Sequence, residues 1–314
     1  MSSDDLHPEE FAQAAHAAIT DAMTRPDHRA MAAVLAQAGL YGVMAAEDDG
    51  GLGLDLAFAL PIAHAAGHLH LPLPLAEQIL LAHALTGTPQ AAALAGAQQL
   101  AGIAWQGSVQ SGHARLDHGP ADWVLVADGD GASLLDITGA TSEEQSALDP
   151  EQPQRWLSLQ GAPVLARLDA AAWAGLQHRA RILLAEFANG AAEGALQAAA
   201  SYMATRVQFG RPLSAKQAVR HLLARMRLLQ DVSRAAIRRA TLTDEFGAPR
   251  DARPALTGAL GNAAYVIEKA IHLHGGMGFT WELALHRALR AVRRLDAAFA
   301  GLSRETGRAY IQSV

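Results

Sequence analysis

Apolar residues recur at helical intervals along the first part of the chain: Phe11, Ala15 and Ile19, then Met31, Val34 and Leu35, then Ile79, Leu80, Leu81 and Leu85. Positions three and four apart share one face of a helix, so this spacing predicts short helices and an all-α N-terminal domain over residues 1–98. The stretch AEDDGGLGL, Ala46 to Leu54, interrupts them as a Gly-rich turn, with no βαβ pattern around it that would suit a dinucleotide fingerprint. Over 99–170 the pattern changes to short β-rich runs, WVLVADG and ASLLDI, bounded by Gly and Asp and followed by Pro150, Pro153 and Pro163, which predicts a small β domain. A linker is expected near Ala170 to Trp173, with helices returning from Leu176.

The last part, 171–314, reads as long helices. Ile182, Leu183, Ala185, Phe187, Ala188, Ala192 and Leu196 form one pattern, in which Gly190 and Gly194 make a small-residue face suited to close helix approach. Val219, Leu222, Leu223, Met226, Leu229, Val232 and Ile237 form a second, and Leu256, Leu260, Ala264, Ile267 and Ile271 a third that should stop at Gly275 as a C′ glycine. A fourth is expected from Glu282 to about Ala300. The fold class is therefore mainly α with a small β domain: an N-terminal helical domain, a short middle β region and a C-terminal four-helix bundle.

Composition narrows the chemistry. The 314 residues are half hydrophobic, enough to bury a sizeable core, and carry a formal charge of −6, which does not suit nucleic acid. The sign is uneven: ten acids face Arg25 and Arg29 up to Leu60, whereas between Ala204 and Arg239 nine basic residues face Asp231. The basic stripe lacks the interleaved aromatics of a nucleic-acid surface, Phe209 being its sole member. Without cysteine there is no disulfide, thiolate zinc site or cysteine nucleophile, and the cytoplasm is the expected compartment. MSSDDLHPEE has no signal-peptide character, and prolines and histidines break the most apolar stretch, so no membrane span is expected. His64, His68 and His70 have a spacing that could suit a metal, but no carboxylate or further histidine motif completes it, and no metal is expected.

The candidate chemistry lies between the long helices, in YMATRVQFGRPLSAKQ from Tyr202 to Gln217, where an arginine, an aromatic ring, a glycine and a glutamine suit a flat, anionic ligand. Taken singly, Phe209 also fits core packing, Arg206 a surface charge and Gly275 a helix stop. Taken together, RVQFGRPLSAKQAV, IHLHGGMGFTWELALHRALR and the turn GGLGL after GLYGVMAAEDD resemble the acyl-CoA dehydrogenases, in the same order of α domain, β domain and helix bundle. The resemblance implies FAD bound at a subunit interface and α,β-dehydrogenation of an acyl-CoA thioester. It implies that Arg206 approaches the pyrophosphate, Phe209 lies against the adenine end and Gln217 bonds the dinucleotide. Gly275 and Gly276, with His272 nearby, would present backbone amides to a neighbouring subunit's cofactor.

Two departures from the family pattern shape the expected function. The family's glutamate base aligns with Phe299, or with Ala300 when Gly301 is matched to the following glycine; its alternative position, after the arginine of RxxFG, is Val207. None of these accepts a proton. Asp296 and Glu305 are the remaining candidates, and both also suit helix-surface pairing with Arg293, Arg294 or Arg308; Glu186 and Glu282 read as structural. The β region, LAGIAWQGSVQSGHARLDHG, lacks the Thr-Glu and Gly-Ser-Asp segments that line the flavin ring in the family, leaving Ser108 and Ser111 as polar groups. The resemblance thus implies a subunit of a homo- or hetero-oligomer in which a sister chain supplies the base. A self-sufficient enzyme with an unusual base and a non-catalytic assembly subunit are the alternatives.

Overall fold

A computed structural model of the chain describes residues 7–117, 119–145, 149 and 152–299. The described residues form two compact units, 7–65 with 71–183 and 66–70 with 184–299.

The first unit opens with helices α1 (Pro8–Ala22), α2 (His28–Gln37), α3 (Leu56–His68, whose last residues belong to the second unit), α4 (Leu75–Ala84) and α5 (Pro89–Ala95). Pro8 starts α1, where its missing N–H costs no helical bond, and the Asp27 carboxylate caps α2 by accepting from the Ala30 N–H at 2.9 Å. The Gly-rich turn uses its amides inward: Leu52 donates to the Gly42 carbonyl, Gly53 to Ala45 and Leu54 to Val43, at 2.8–3.0 Å. A side chain at Gly51 would meet the Ala45 carbonyl oxygen at 2.2 Å, so glycine is required there by close backbone approach.

Eight strands follow: β1 (Ala101–Ala104), β2 (Gln106–Ser108), β3 (His113–Leu116), β4 (Trp123–Asp128), β5 (Gly131–Asp136), β6 (Ser142–Gln145), β7 (Gln154–Ser158) and β8 (Val164–Leu168). They form two four-stranded sheets, ordered β1-β4-β5-β8 and β2-β3-β7-β6, with β1 and β4 parallel and every other pairing antiparallel. Leu116, Val124, Val126, Leu135 and Leu157 share one core. The WVLVADG and ASLLDI runs are β4 and β5, joined by a tight turn at Gly129 (φ +60°). Buried polar groups on α4 satisfy the β1 backbone: Glu77 accepts from the Ile103 N–H (2.8 Å) and the Trp105 indole (2.9 Å), and Gln78 accepts from the Ala101 N–H at 2.9 Å.

The expected linker at Ala170 to Trp173 is instead the first turn of α6 (Ala170–Thr205). Asp169 is its cap, accepting from the Ala172 N–H at 2.8 Å, and the Trp173 ring stacks on Trp105 with centroids 6.2 Å apart, which commits the segment to helix.

In the second unit α6 continues and is followed by a two-stranded ribbon, β9 (Val207–Gln208) and β10 (Arg211–Pro212), then α7 (Gln217–Ala240), α8 (Arg253–Leu273) and α9 (Leu285–Ala298). These are the four long helices that the spacing predicts. Gly275 stands directly after the α8 cap with φ +62°, the expected C′ glycine. The last helix starts at Leu285 rather than Glu282, the chain over 281–284 forming turns first; its expected end, Ala300, lies outside the described residues. The small-residue face of α6 meets the end of α3. A Cβ on Gly67 would stand 1.9 Å from the Phe187 carbonyl oxygen, and one on Gly194 would stand 2.8 Å from that of His68. Across the bundle, Glu193 faces Arg227 (3.9 Å) and Arg234 (3.6 Å), and the Asn262 amide donates to the Ser233 hydroxyl at 3.0 Å. No helix among the described residues is long and apolar enough to cross a membrane.

Candidate functional site

Two segments of the second unit carry the residues singled out in the sequence. The first is the β9–β10 hairpin. Gln208 pairs with Arg211, so its loop is Phe209–Gly210, and both residues have positive φ, +55° and +77°, the signature of a type I′ turn. Asn-Gly is the usual choice there; a phenylalanine in the left-handed region is uncommon. The residue is 87% exposed, so core packing does not explain it. The Lys216 ammonium lies 4.9 Å from the ring centroid, and Arg206 and Arg211 are exposed on the same hairpin. The Leu213 N–H donates to the Arg206 carbonyl at 2.9 Å, closing the loop. Gln217 then opens α7, whose N-terminus has no side-chain cap, so exposed Gln217 stands beside backbone N–H groups oriented as helix starts present them to anions.

The second segment runs from His272 to Arg290. Gly275 and Gly276 are exposed, with no atom within 4 Å of where a Cβ would stand, and they open a 3₁₀ turn, Gly275–Phe279. Gly278 is different: a side chain there would strike the Ile271 carbonyl oxygen at 2.1 Å. Beyond the turn, two α9 side chains contact Trp281. The His286 Nε2–H donates to its carbonyl at 3.3 Å, which leaves Nδ1 to accept from the buried Arg290 guanidinium at 2.9 Å, and that guanidinium also lies 4.9 Å from the Trp281 ring centroid. These groups, with exposed His272 and Phe279, line a cleft of about 590 Å³.

A ring stack joins the two segments. The rings of Tyr202, near the end of α6, and His274, the cap of α8, stack at 4.7 Å with an interplanar angle of 18°. Arg206, Phe209 and Gln217 thus share one loop, His272, Gly275 and Gly276 share another, and the stack joins them. Guanidinium, glutamine amide, helix-start N–H groups and uncovered glycine amides are the donors a pyrophosphate takes, and an exposed aromatic ring offers a face to a base, so the residues present fit the dinucleotide portion of FAD. Sequence reading missed the Tyr202–His274 stack and the Arg290–Trp281–His286 arrangement. No spacing rule pairs Tyr202 with His274, which stand on different elements, whereas the i,i+4 spacing of His286 and Arg290 on α9 was a signal that could have found that bond.

The positions considered for a base have different surroundings. Val207 is 53% exposed on the hairpin, and Phe299 is buried at the end of α9. Asp296 is 3.8 Å from Arg293, which also bonds Glu268 at 2.6 Å, so the carboxylate belongs to a helix-surface ion cluster. Ala300 and Glu305 lie outside the described residues. Ser108 and Ser111 close the β2–β3 turn on each other, each hydroxyl accepting from the other's N–H at 3.0–3.1 Å. Of the histidines weighed for a metal, His68 does have a carboxylate near it, Glu193, with ligand atoms within 4.8 Å; the sequence reading lacked that neighbour because it lies a whole helix away in the chain. The same carboxylate faces Arg227 and Arg234, an ion-pair environment.

The sequence profile described as "Acyl-CoA dehydrogenase, C-terminal domain" matches residues 170–303, which contain both segments. The acyl-CoA dehydrogenase IpdE2 of Mycobacterium tuberculosis is 33% identical over 264 residues, 80% of this chain and 76% of that protein. The acyl-CoA dehydrogenase FadE34 of the same organism is 32% identical over 293 residues, 88% of this chain; the match spans 41% of the length of that relative. Among solved structures, the Tcur3481-Tcur3483 steroid ACAD superposes with a TM-score of 0.78 at 25% identity, covering 97% of this chain and 98% of that one.

Proposed function

This chain belongs to the acyl-CoA dehydrogenase family, and from that premise we propose that it is a flavoprotein subunit that binds the dinucleotide end of FAD while a sister chain of the same family supplies the base for α,β-dehydrogenation of an acyl-CoA thioester. The observation that carries the reading is the contrast between the two kinds of position: an exposed donor set in the loops at 206–217 and 272–276, beside Val207 and a buried Phe299 where the family places its carboxylate. When bound, FAD supplies the hydride acceptor for the substrate's β carbon.

The chain's own residues position rather than transfer protons. Arg206 pairs its planar guanidinium with pyrophosphate oxygens, Phe209 gives the adenine end a flat apolar surface, and Gln217 donates and accepts through its amide. Gly275 and Gly276 bring backbone N–H groups up to the cofactor with no side chain in the way, and His272 stands at the edge of the same turn. Removal of the proton α to the thioester needs a carboxylate within hydrogen-bond reach. Val207 and Phe299 offer none, and Asp296 is engaged with Arg293. A steroid-type thioester is the proposed substrate class, by extension from the Tcur3481-Tcur3483 steroid ACAD, and the assembly is proposed to work in the cytoplasm.

The test is to purify the full chain alone and together with an acyl-CoA dehydrogenase-family chain that carries the glutamate. The lone chain is expected to carry little flavin absorbance and show no turnover with a dye acceptor, and the pair to be yellow and active. Full flavin occupancy with robust turnover by the lone chain overturns the proposal. In the active pair, Asp296→Asn is expected to leave turnover within about twofold, since exposed ion pairs contribute little.

A further inference from the structure

We infer that Tyr202 and His274 are a positioning pair that sets the arginine hairpin against the diglycine turn, an inference that rests on reading the two segments as one dinucleotide site. The Arg206 N–H donates to the Tyr202 carbonyl at 2.9 Å, so the arginine's backbone hangs from the residue that carries the ring. On the other side His274 is buried, at 6% exposure, and its Nδ1 lies 2.8 Å from the Ala270 carbonyl oxygen. A carbonyl only accepts, so Nδ1 carries the proton and the imidazole is held against the last turn of α8. The very next residue, Gly275, turns the chain at φ +62°. Tyr202 is therefore tied by a backbone bond to the start of the hairpin, His274 is fixed to α8 one residue before the diglycine turn, and the 4.7 Å stack joins the two.

The two segments need such a tie. The hairpin loop is exposed at Phe209, Gly210 and Arg211, and Gly275 and Gly276 have open space where a Cβ would stand. A ligand that bonds the guanidinium and the glycine amides together gains affinity only if those donors already stand at the right separation, because otherwise part of the interaction is lost in ordering them. A near-parallel ring pair fixes separation and tilt.

The test compares Tyr202→Phe, which keeps the ring, with Tyr202→Ala, alongside His274→Ala, in the full chain. Hydrogen–deuterium exchange reads residues 206–213 and 275–280 against the α8 interior at 255–266, and flavin fluorescence reads FAD affinity with the sister chain present. Tyr202→Ala and His274→Ala are expected to speed exchange in both loops while leaving 255–266 unchanged, and to weaken FAD binding about three- to tenfold, the range one aromatic pair supplies. Tyr202→Phe is expected to keep both readouts within about twofold of the native chain. A merely structural role moves the α8 interior and the melting temperature along with the loops. The inference is overturned if Tyr202→Phe and Tyr202→Ala behave alike, or if Tyr202→Ala leaves exchange at 275–280 unchanged. If the exchange contrast persists but no form takes up FAD, the dinucleotide reading falls while the bracing of the loops stands.

Discussion

Arg206 offers two parallel N–H donors to an anion where lysine offers a point charge, so the side chain's shape as well as its charge enters the proposed binding. Arg206→Ala is expected to weaken FAD binding by the assembly about tenfold or more, the worth of a charge-assisted hydrogen bond, with Arg206→Lys recovering only part of it. Flavin fluorescence titration measures both. At the C-terminal end of α9, Phe299→Glu does not create a base. It puts a carboxylate into a buried apolar position and removes a large ring, so the expected result is no gain in turnover and a loss of about 3 kcal/mol of stability in urea unfolding. Gly275 was legible in the sequence as the glycine that ends α8. Contacts between elements were not: Tyr202 meets His274 through geometry that appears only once α6 and α8 are in place.

At the scale of elements, the close approach of α6 to the end of α3 depends on hydrogen atoms at two positions. Gly67→Ala would drive a methyl into the Phe187 carbonyl, backbone that cannot swing aside, and is expected to cost about 2–3 kcal/mol of stability; Gly194→Ala, with a less severe encounter, is expected to cost less. Chemical denaturation followed by circular dichroism ranks the two. Gly194 was readable as a small-residue site from the spacing within α6, but its partner was not, because Gly67 belongs to a helix far earlier in the chain. The misread linker at Ala170 has a similar cause. Alanines carry helix propensity without a face, and only the Asp169 cap and the Trp105–Trp173 stack decide that the helix begins there. The strands β6, β7 and β8 also lay outside the pattern: Pro153 and Pro163 read as punctuation, and both stand just before strands.

For the molecule as a whole, pH is the sharpest probe. Burial lowers the His70 pKa to about 4, with the neighbouring charges of His68, Arg287 and His286 acting in the same direction and the bond to the Gly67 carbonyl opposing them. Burial also lowers His83. The unfolded chain thus takes up a proton near pH 6.5 that the folded chain refuses until about pH 4. Stability is accordingly full above pH 6.5 and falls as the pH drops through that interval, by about 3 kcal/mol for His70 at most. Thermal melts from pH 7.5 to 4 should show the decline, and His70→Asn, whose side chain tolerates the φ of +57° at this position, should flatten it. The broad architecture, helices then strands then four helices, was legible because it is written in periodicity, whereas the grouping of the first two parts into one compact unit depends on single buried groups such as Glu77 and Gln78. The hairpin tip bears on how this molecule would fare under laboratory evolution. Phe209 in a left-handed conformation costs about 1–2 kcal/mol that asparagine or glycine would return. A screen that rewards heat resistance alone would therefore discard the phenylalanine early, and a screen that rewards cofactor retention would keep it, so the residue recovered at position 209 reports which pressure acted.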